Sequence, residues 1–243
     1  MLVAATVVPS APVLVPALAP GAPEPVVALR QVCAQAVIQL VDLVEHVVVV
    51  TAAAAGRWGS EAGGSLASYG VDLRGGGGQL ILPPALTLGA VLLDDASHGG
   101  DRTYVAVDPT TTSDVCASLG RELVGAHKSD PPTGLLVLAD GSAKRGEQAP
   151  GFVDARANDF DAAVATALAT GDASALRALD PDVAEQLWVS GRVGWQVLAG
   201  VAEAWQASSR VFAGVTYDAA PLGVGYLVAA WQLAGPPDPP CTR

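Results

Sequence analysis

The stretch Val7-Val8-Pro9-Ser10-Ala11-Pro12-Val13-Leu14-Val15-Pro16 indicates both the fold of this chain and the place where a functional site would lie. It overlaps the end of an apolar run from Leu2 to Val8, which predicts a buried β-strand. The proline-rich turn after that strand should therefore open at the carboxyl edge of a sheet. Ligands and metals bind at such edges in α/β folds.

The composition is that of a folded protein with an acidic surface. Of the 243 residues, 51% are hydrophobic and 15% are charged, which predicts a sizeable core and excludes global disorder. The formal net charge is -11, and no cluster of Lys or Arg offsets it, so neither nucleic acid nor an anionic membrane surface is expected as a partner. Without a repeat or a linker, we predict one domain over residues 1–234 and a proline-rich tail over 235–243.

The cysteines and the N-terminus favour a cytoplasmic protein. Cys33, Cys116 and Cys241 are widely spaced and odd in number, which predicts reduced thiols rather than disulfides or a zinc site. The apolar N-terminus has no basic region and is interrupted by prolines, so we interpret it as mature sequence rather than a signal peptide. No uncharged apolar run reaches the length that a membrane span requires.

Alternating strand and helix patterns predict the α/β class. Residues 26–45 have the apolar spacing of a helix, and the β-branched run Val47–Val50 that follows is typical of a parallel strand covered on both faces. Further strands are predicted at 104–107, 135–139, 211–216 and 223–231, and further helices at 85–93, 113–126, 154–170 and 191–205, with short helices starting near Asp172 and Pro181.

Residues 56–78 are rich in glycine and include Gly75-Gly76-Gly77-Gly78. We expect a long, mobile excursion over the sheet edge rather than a packed element. A phosphate-binding loop is not favoured, because no Lys-Ser/Thr follows the glycines and no strand precedes them.

Five short motifs occur in an order and spacing that are together fairly specific. They are Pro9-Ser10-Ala11-Pro12, Asp95-Ala96-Ser97-His98-Gly99, Leu138-Ala139-Asp140-Gly141-Ser142-Ala143, Ala149-Pro150-Gly151-Phe152 and Ser190-Gly191-Arg192. This set resembles the class III extradiol ring-cleavage dioxygenases, in the catalytic B-subunit superfamily, and the related Memo family. The resemblance implies a three-layer αβα sandwich with a mixed, mainly parallel central sheet.

The resemblance also implies a metal site whose ligands this sequence lacks. The position of the family's first ligand histidine is Ser10, and Ala52–Ala55 offers no ligand atom where the second should follow a strand. The family's acid/base histidine is replaced by Ala143, and the pocket cysteine of Memo by Ser190. Of the matched site positions, only His98 remains.

These replacements weaken the prediction of an enzyme. A non-haem iron site needs two imidazoles and a carboxylate, and one histidine would hold a metal too weakly. We therefore predict no metal and no cofactor, and our leading hypothesis is a bacterial pseudoenzyme that keeps its cleft for a small molecule or serves as a scaffold. The candidate pocket residues are Ser10, His98, Asp140, Ser142 and Ser190, with His98 as the candidate catalytic residue.

Two other functions stay open. An active extradiol dioxygenase with relocated iron ligands would need His46, His98 or His127 to converge with carboxylates in one pocket. An oligomeric binding module would use the tryptophans of residues 188–205 at its interface, although helix packing explains those tryptophans better.

Each candidate residue also has a structural interpretation. A loop histidine such as His98 is more often solvated or capping than catalytic. His46 and His127 lie at predicted helix ends, where a cation favours the helix dipole. Asp140-Gly141-Ser142 is typical of a tight turn in which glycine supplies an unusual φ, as well as of an acid and a hydroxyl in a cleft.

Overall fold

The computed structural model describes residues 1–126, 131–206 and 210–233. Its strands are β1 (Leu2–Val8), β2 (His46–Ala52), β3 (Gly56–Trp58), β4 (Ala62–Ser65), β5 (Arg74–Gly76), β6 (Gln79–Leu80), β7 (Asp101–Val107), β8 (Thr133–Leu138), β9 (Val211–Ala219) and β10 (Tyr226–Leu233). Its helices are α1 (Glu24–Val41), α2 (Pro84–Asp95), α3 (Ser113–Ala126), α4 (Arg156–Thr170), α5 (Ala173–Arg177), α6 (Pro181–Gln186) and α7 (Arg192–Gln206).

A seven-stranded mixed sheet lies at the centre, in the order β3-β7-β2-β8-β1-β10-β9. The four strands β7, β2, β8 and β1 are parallel. On one side β3 pairs antiparallel with β7, and on the other side β10 pairs antiparallel with both β1 and β9. The predicted α/β class with a mainly parallel sheet core is confirmed. Because the four strands point the same way, the segments that follow them meet at one carboxyl edge.

The helices form a layer on each face of the sheet, as a three-layer sandwich requires. Val48 and Val50 of β2 pack into a core with α3, α4, α5 and α7. Their neighbours Val47 and Val49 pack into a second core with α1 and α2. Successive side chains of a strand point to opposite faces, so a strand buried on both sides needs a continuous apolar run.

The starts predicted for the two short helices are confirmed. Asp172 caps α5 by accepting a hydrogen bond from the Ala175 amide, and Pro181 begins α6. Trp205 is buried and its indole donates to the carbonyl of Leu2, so helix packing does explain it. Trp188 differs, because it follows α6 with a left-handed φ of 58° and is 55% exposed.

The prediction for the glycine-rich segment is wrong. Instead of a mobile excursion, it contains a three-stranded sheet in the order β5-β4-β6, which packs on α2. A Cβ on Gly64 would lie 1.8 Å from Thr87 Oγ1, and one on Gly75 would lie 2.7 Å from the Val91 amide nitrogen. The glycines are therefore needed for close backbone approach to a helix, which a composition rule does not detect.

Among the described residues, no helix has both the length and the apolarity to cross a membrane. His127, Cys241 and the predicted tail over 235–243 lie outside the described residues.

Candidate functional site at the carboxyl edge

Three of the predicted site residues meet at the carboxyl edge of the parallel strands. Val8 of β1 pairs with Leu138 of β8, so Ser10 and Asp140, each two residues further on, lie side by side. The Ser10 amide donates to Asp140 Oδ1 over 2.9 Å, and Ser10 Oγ donates to Oδ2 over 3.1 Å. Ser190, just before α7, donates from its Oγ to the same Oδ2 over 3.3 Å. We refer to these three residues as the Ser–Asp–Ser cluster.

The carboxylate of this cluster has an unusual protonation equilibrium. Burial raises the pKa of Asp140 from 3.8 to about 6, although the hydrogen bonds from Ser10 and Ser190 act in the opposite direction. Burial, and secondly the charge of Asp140, raises the pKa of the Cys33 thiol on α1 to about 12. The same two causes raise the pKa of Tyr226 on β10. At neutral pH the cluster therefore offers one carboxylate between two hydroxyls, and the thiol of Cys33 is protonated.

A small cavity lies beside Ser10. It has a volume of about 150 Å³. Its lining consists of Ser10, Pro12, Leu18, Leu66, Tyr69, Pro84, Ala85 and Leu88. Leu66 and Tyr69 come from the glycine-rich segment, so sequence patterns that treat this segment as a mobile loop miss two of the eight residues that line the cavity. The fixed packing of β4 and β5 on α2 is what places them there.

Ser142 follows Asp140 closely in the chain but donates its hydrogen bonds to a different carboxylate. It is fully buried, and its amide and its Oγ each donate over 2.8 Å to the carboxylate of Asp161 on α4. Arg145 Nη1 lies 3.6 Å from Asp161 Oδ2. Ser142 is therefore closed to a ligand and fastens the turn after β8 to α4. No pattern in the sequence identified Asp161 as this partner.

The turn after β8 has a different cause from the one predicted. Gly141 does not adopt a positive φ. Its Cβ would lie 2.7 Å from Asp161 Oδ1 and 2.9 Å from the carbonyl oxygen of Gly225. Glycine is required there because of crowding and not because of an unusual backbone conformation.

His98 does not join the cluster, which corrects its predicted place in the pocket. It follows α2 and precedes β7, so it lies at the amino edge of the parallel strands, with β7 between it and the carboxyl edge. Seven residues of extended strand span about 20 Å. There His98 Nε2 lies 3.4 Å from the Asp101 carbonyl oxygen, and burial lowers the pKa of its imidazole. It borders an open groove of about 690 Å³ with Asp42, Glu45 and Pro131.

The donor atoms at the carboxyl edge do not fit a non-haem metal. The cluster supplies one carboxylate and two hydroxyls, whereas such a site needs imidazoles as well. His46, at the start of β2, lies at the amino edge with its Nε2 3.0 Å from Thr103 Oγ1. Within residues 1–126, 131–206 and 210–233, no group of three or more His, Cys, Asp or Glu side chains is placed to hold a metal.

Comparisons with known proteins add information on the fold alone. No family model matches the sequence, and no curated protein matches it. Among solved structures, the chain is similar to an uncharacterized protein of Escherichia coli K12, with a TM-score of 0.53 and 12% sequence identity over 95% of this chain and 99% of that chain. At this identity the likeness shows a common fold.

Proposed function

We propose that this protein binds a small molecule at the carboxyl edge without a metal, and that it resembles the class III extradiol dioxygenases in layout but does not cleave aromatic rings. The observation that carries the proposal is the Ser–Asp–Ser cluster beside the cavity at Ser10. It is a site with an oriented carboxylate and an apolar recess, in the place where ligands of α/β proteins bind.

The volume of the cavity limits the ligand to about one ring. A dry cavity of about 150 Å³ lined by apolar side chains holds a molecule the size of benzene. The cavity at Ser10 has this volume, and apart from Ser10 and Tyr69 its lining side chains are apolar. A single aromatic or aliphatic ring therefore fits the recess, and a two-ring ligand would have to extend out of it.

The polar end of the site favours a ligand that donates a hydrogen bond. An ionised carboxylate has about four acceptor positions. Asp140 uses three of them for the Ser10 amide and the two serine hydroxyls. A ligand hydroxyl or amine would donate to the remaining one, or to a lone pair of Ser10 Oγ, which contacts the carboxylate and belongs to a residue that lines the cavity.

The same residues argue against ring cleavage. The resemblance places metal ligands and an acid/base histidine where this chain has Ser10, Ala52–Ala55 and Ala143. The alternative of an active dioxygenase with relocated ligands needs histidines near Asp140. His46 and His98, the two described histidines, lie at the opposite edge of the sheet.

We also propose that the protein acts in the cytoplasm as a pseudoenzyme, since Cys33 and Cys116 are free, buried thiols that suit a reducing compartment. Homo-oligomerisation stays a prediction. Of the three tryptophans considered for the interface, Trp195 and Trp205 are buried in the core of their own chain and only Trp188 is exposed.

Titration of the protein with phenol and with catechol, followed by calorimetry, tests the binding proposal. We expect saturable binding of one molecule per chain. Ala85→Leu adds bulk to the cavity wall, leaves the residues of the Ser–Asp–Ser cluster unchanged and should weaken binding at least tenfold. Ala163→Leu makes the same change at an exposed position of α4 and should leave the affinity unchanged. The proposal fails if neither compound binds, or if Ala85→Leu binds as tightly as the natural chain.

A separate assay tests the absence of ring cleavage. The protein is incubated with catechol, ferrous iron and oxygen, and oxygen consumption and the absorbance of ring-opened product are followed. We expect no enzyme-dependent consumption at any iron concentration. Iron-dependent formation of a ring-opened product would support the active-dioxygenase alternative instead.

A further inference from the structure

A further pocket, on the α3 and α7 side of the sheet, is lined by a buried positive charge that has no counter-ion among the described residues. The pocket has a volume of about 410 Å³ and lies between the loop that follows β7, the segment between α5 and α6, and the first turn of α7. Arg192 lines the pocket, although the residue is only 6% exposed.

The guanidinium of Arg192 contacts neutral oxygens only. Nη1 donates to the Thr111 carbonyl over 3.1 Å and to Gln196 Oε1 over 2.8 Å, and Nη2 donates to the Pro109 carbonyl. Within the described part of the chain, Arg192 takes part in no ion pair. An uncompensated buried charge is costly, because carbonyl dipoles replace its hydration only in part. An anion in the pocket would supply the missing charge.

The N-terminus of α3 forms another wall of the pocket and supplies backbone donors, whereas the hydroxyls of Thr110 and Ser113 already donate to Asp108 Oδ1 and to the Arg177 carbonyl. Thr110, Thr111, Thr112 and Ser113 line it where the strand β7 leads into the N-terminus of α3, a helix of 14 residues. A loop that follows a strand and enters a helix is a common phosphate-binding arrangement, since the free amides and the helix dipole face the ligand. Arg177 also lines the pocket, and its buried Nε has no hydrogen-bond partner among the described residues.

The carboxylates near this pocket already have partners. Asp180 caps α6 by accepting from the amides of Asp182 and Val183. Asp114 is paired with Arg177, which also contacts Glu203 over 3.1 Å. Asp114 and Glu203 compensate Arg177, and in the described part of the chain neither forms an ion pair with Arg192.

We propose that this pocket binds the phosphate group of a small molecule, with Arg192 and the N-terminus of α3 as the main contacts. The ligand is either inorganic phosphate or a phosphate monoester. The pocket volume exceeds what a bare phosphate ion needs, so a monoester also fits. The site is separate from the Ser–Asp–Ser cluster, so this inference does not depend on the function proposed for that cluster.

Calorimetric titration with inorganic phosphate, at constant ionic strength adjusted with NaCl, tests the proposal. We expect one saturable site per chain and a rise in the unfolding temperature with phosphate concentration, since a ligand that binds only the folded state stabilises it. Arg192→Gln should weaken the affinity at least tenfold. The same titration with glycerol 3-phosphate distinguishes the sources: tighter binding assigns a phosphate monoester, and equal or weaker binding assigns the free ion.

A second variant covers the case in which Arg192→Gln does not fold. Ala178→Glu places a carboxylate at the exposed rim of the pocket, keeps Arg192 in place and should also weaken phosphate binding at least tenfold. Ala163→Glu, which adds the same charge on α4, should have no effect. The proposal is overturned if neither phosphate compound binds saturably, or if Ala178→Glu binds phosphate as tightly as Ala163→Glu.

Discussion

Ser10 donates both its amide and its hydroxyl to the carboxylate of Asp140, over 2.9 and 3.1 Å, although the two residues are 130 positions apart. The contact joins the ends of two adjacent parallel strands at the edge where the proposed ligand binds.

The first prediction concerns the pH dependence of stability. The pKa of Asp140 is raised from 3.8 to about 6 in the folded state, so the folded protein holds this proton more tightly than the unfolded chain does. The resulting stabilisation is fully present below pH 4, is lost as the pH rises towards 6 and does not change further above it. Allowing for the partial exposure of Asp140, we expect about 1–3 kcal/mol from this group.

Denaturant unfolding of the natural chain and of Asp140→Asn, at intervals between pH 4 and 8, measures this effect. The difference in the free energy of unfolding should shift in favour of the variant between pH 4 and 6 and stay constant above pH 7. Asp72→Asn, at a position whose side chain is 90% exposed, is the matched control. A difference that does not vary with pH would contradict the raised pKa.

The second prediction compares the two serines of the cluster. Ser10→Ala removes a hydrogen bond to a charged, half-buried group, so we expect a loss of about 1–2 kcal/mol of unfolding free energy. It should also raise the pKa of Asp140 further, because the Ser10 hydroxyl lowers it. Carboxyl-carbon NMR titration measures this pKa. Ser190→Ala should have a smaller effect on both quantities, since its bond is longer and more exposed. The reverse order would be inconsistent with the geometry of the cluster.

The third prediction tests the packing of the glycine-rich segment. Gly64→Ala would bring a Cβ to 1.8 Å from Thr87 Oγ1, so α2 or β4 must shift, and we expect a loss of about 1–3 kcal/mol. At Gly78 a Cβ would meet nothing within 4 Å, so Gly78→Ala should change stability by less than about 1 kcal/mol. Thermal unfolding of both variants provides the comparison. Equal stabilities would indicate that the segment does not pack on α2 in solution.

The fourth prediction concerns the buried carboxylate of Asp161. Asp161→Ala leaves the amide and hydroxyl of Ser142 without acceptors and removes a neighbouring charge from Arg145. We expect a loss of about 2–4 kcal/mol. Asp159→Ala, on the exposed side of the same helix, should cost less than about 1 kcal/mol. Chemical denaturation measures the free energy of unfolding of both variants. A loss for Asp161→Ala as small as that for Asp159→Ala would mean that Ser142 has another partner available.

Much of the site could be predicted from local patterns, and His98 shows where such patterns stop. A motif match placed His98 with Ser10, but the chain order of α2, His98 and β7 puts it at the amino edge once β7 is known to be parallel to β2. That pairing is a long-range property, and no short motif contains it. The cavity wall at Leu66 and Tyr69 was missed for a similar reason, because glycines indicate a loop until the helix they pack on is known.

The sequence by itself determined the strands of the large sheet other than β3, the helices and the turn at Pro9-Ser10-Ala11-Pro12, because periodicity, capping residues and prolines act within a few residues of the chain. It also showed that the histidines expected from the resemblance are absent. The tertiary structure alone decided which segments share an edge of the sheet, which glycines meet a helix and that Arg192 is buried with no counter-ion within residues 1–126, 131–206 and 210–233. Those outcomes depend on strand order and on contacts between residues far apart in sequence, whose energies no local pattern encodes.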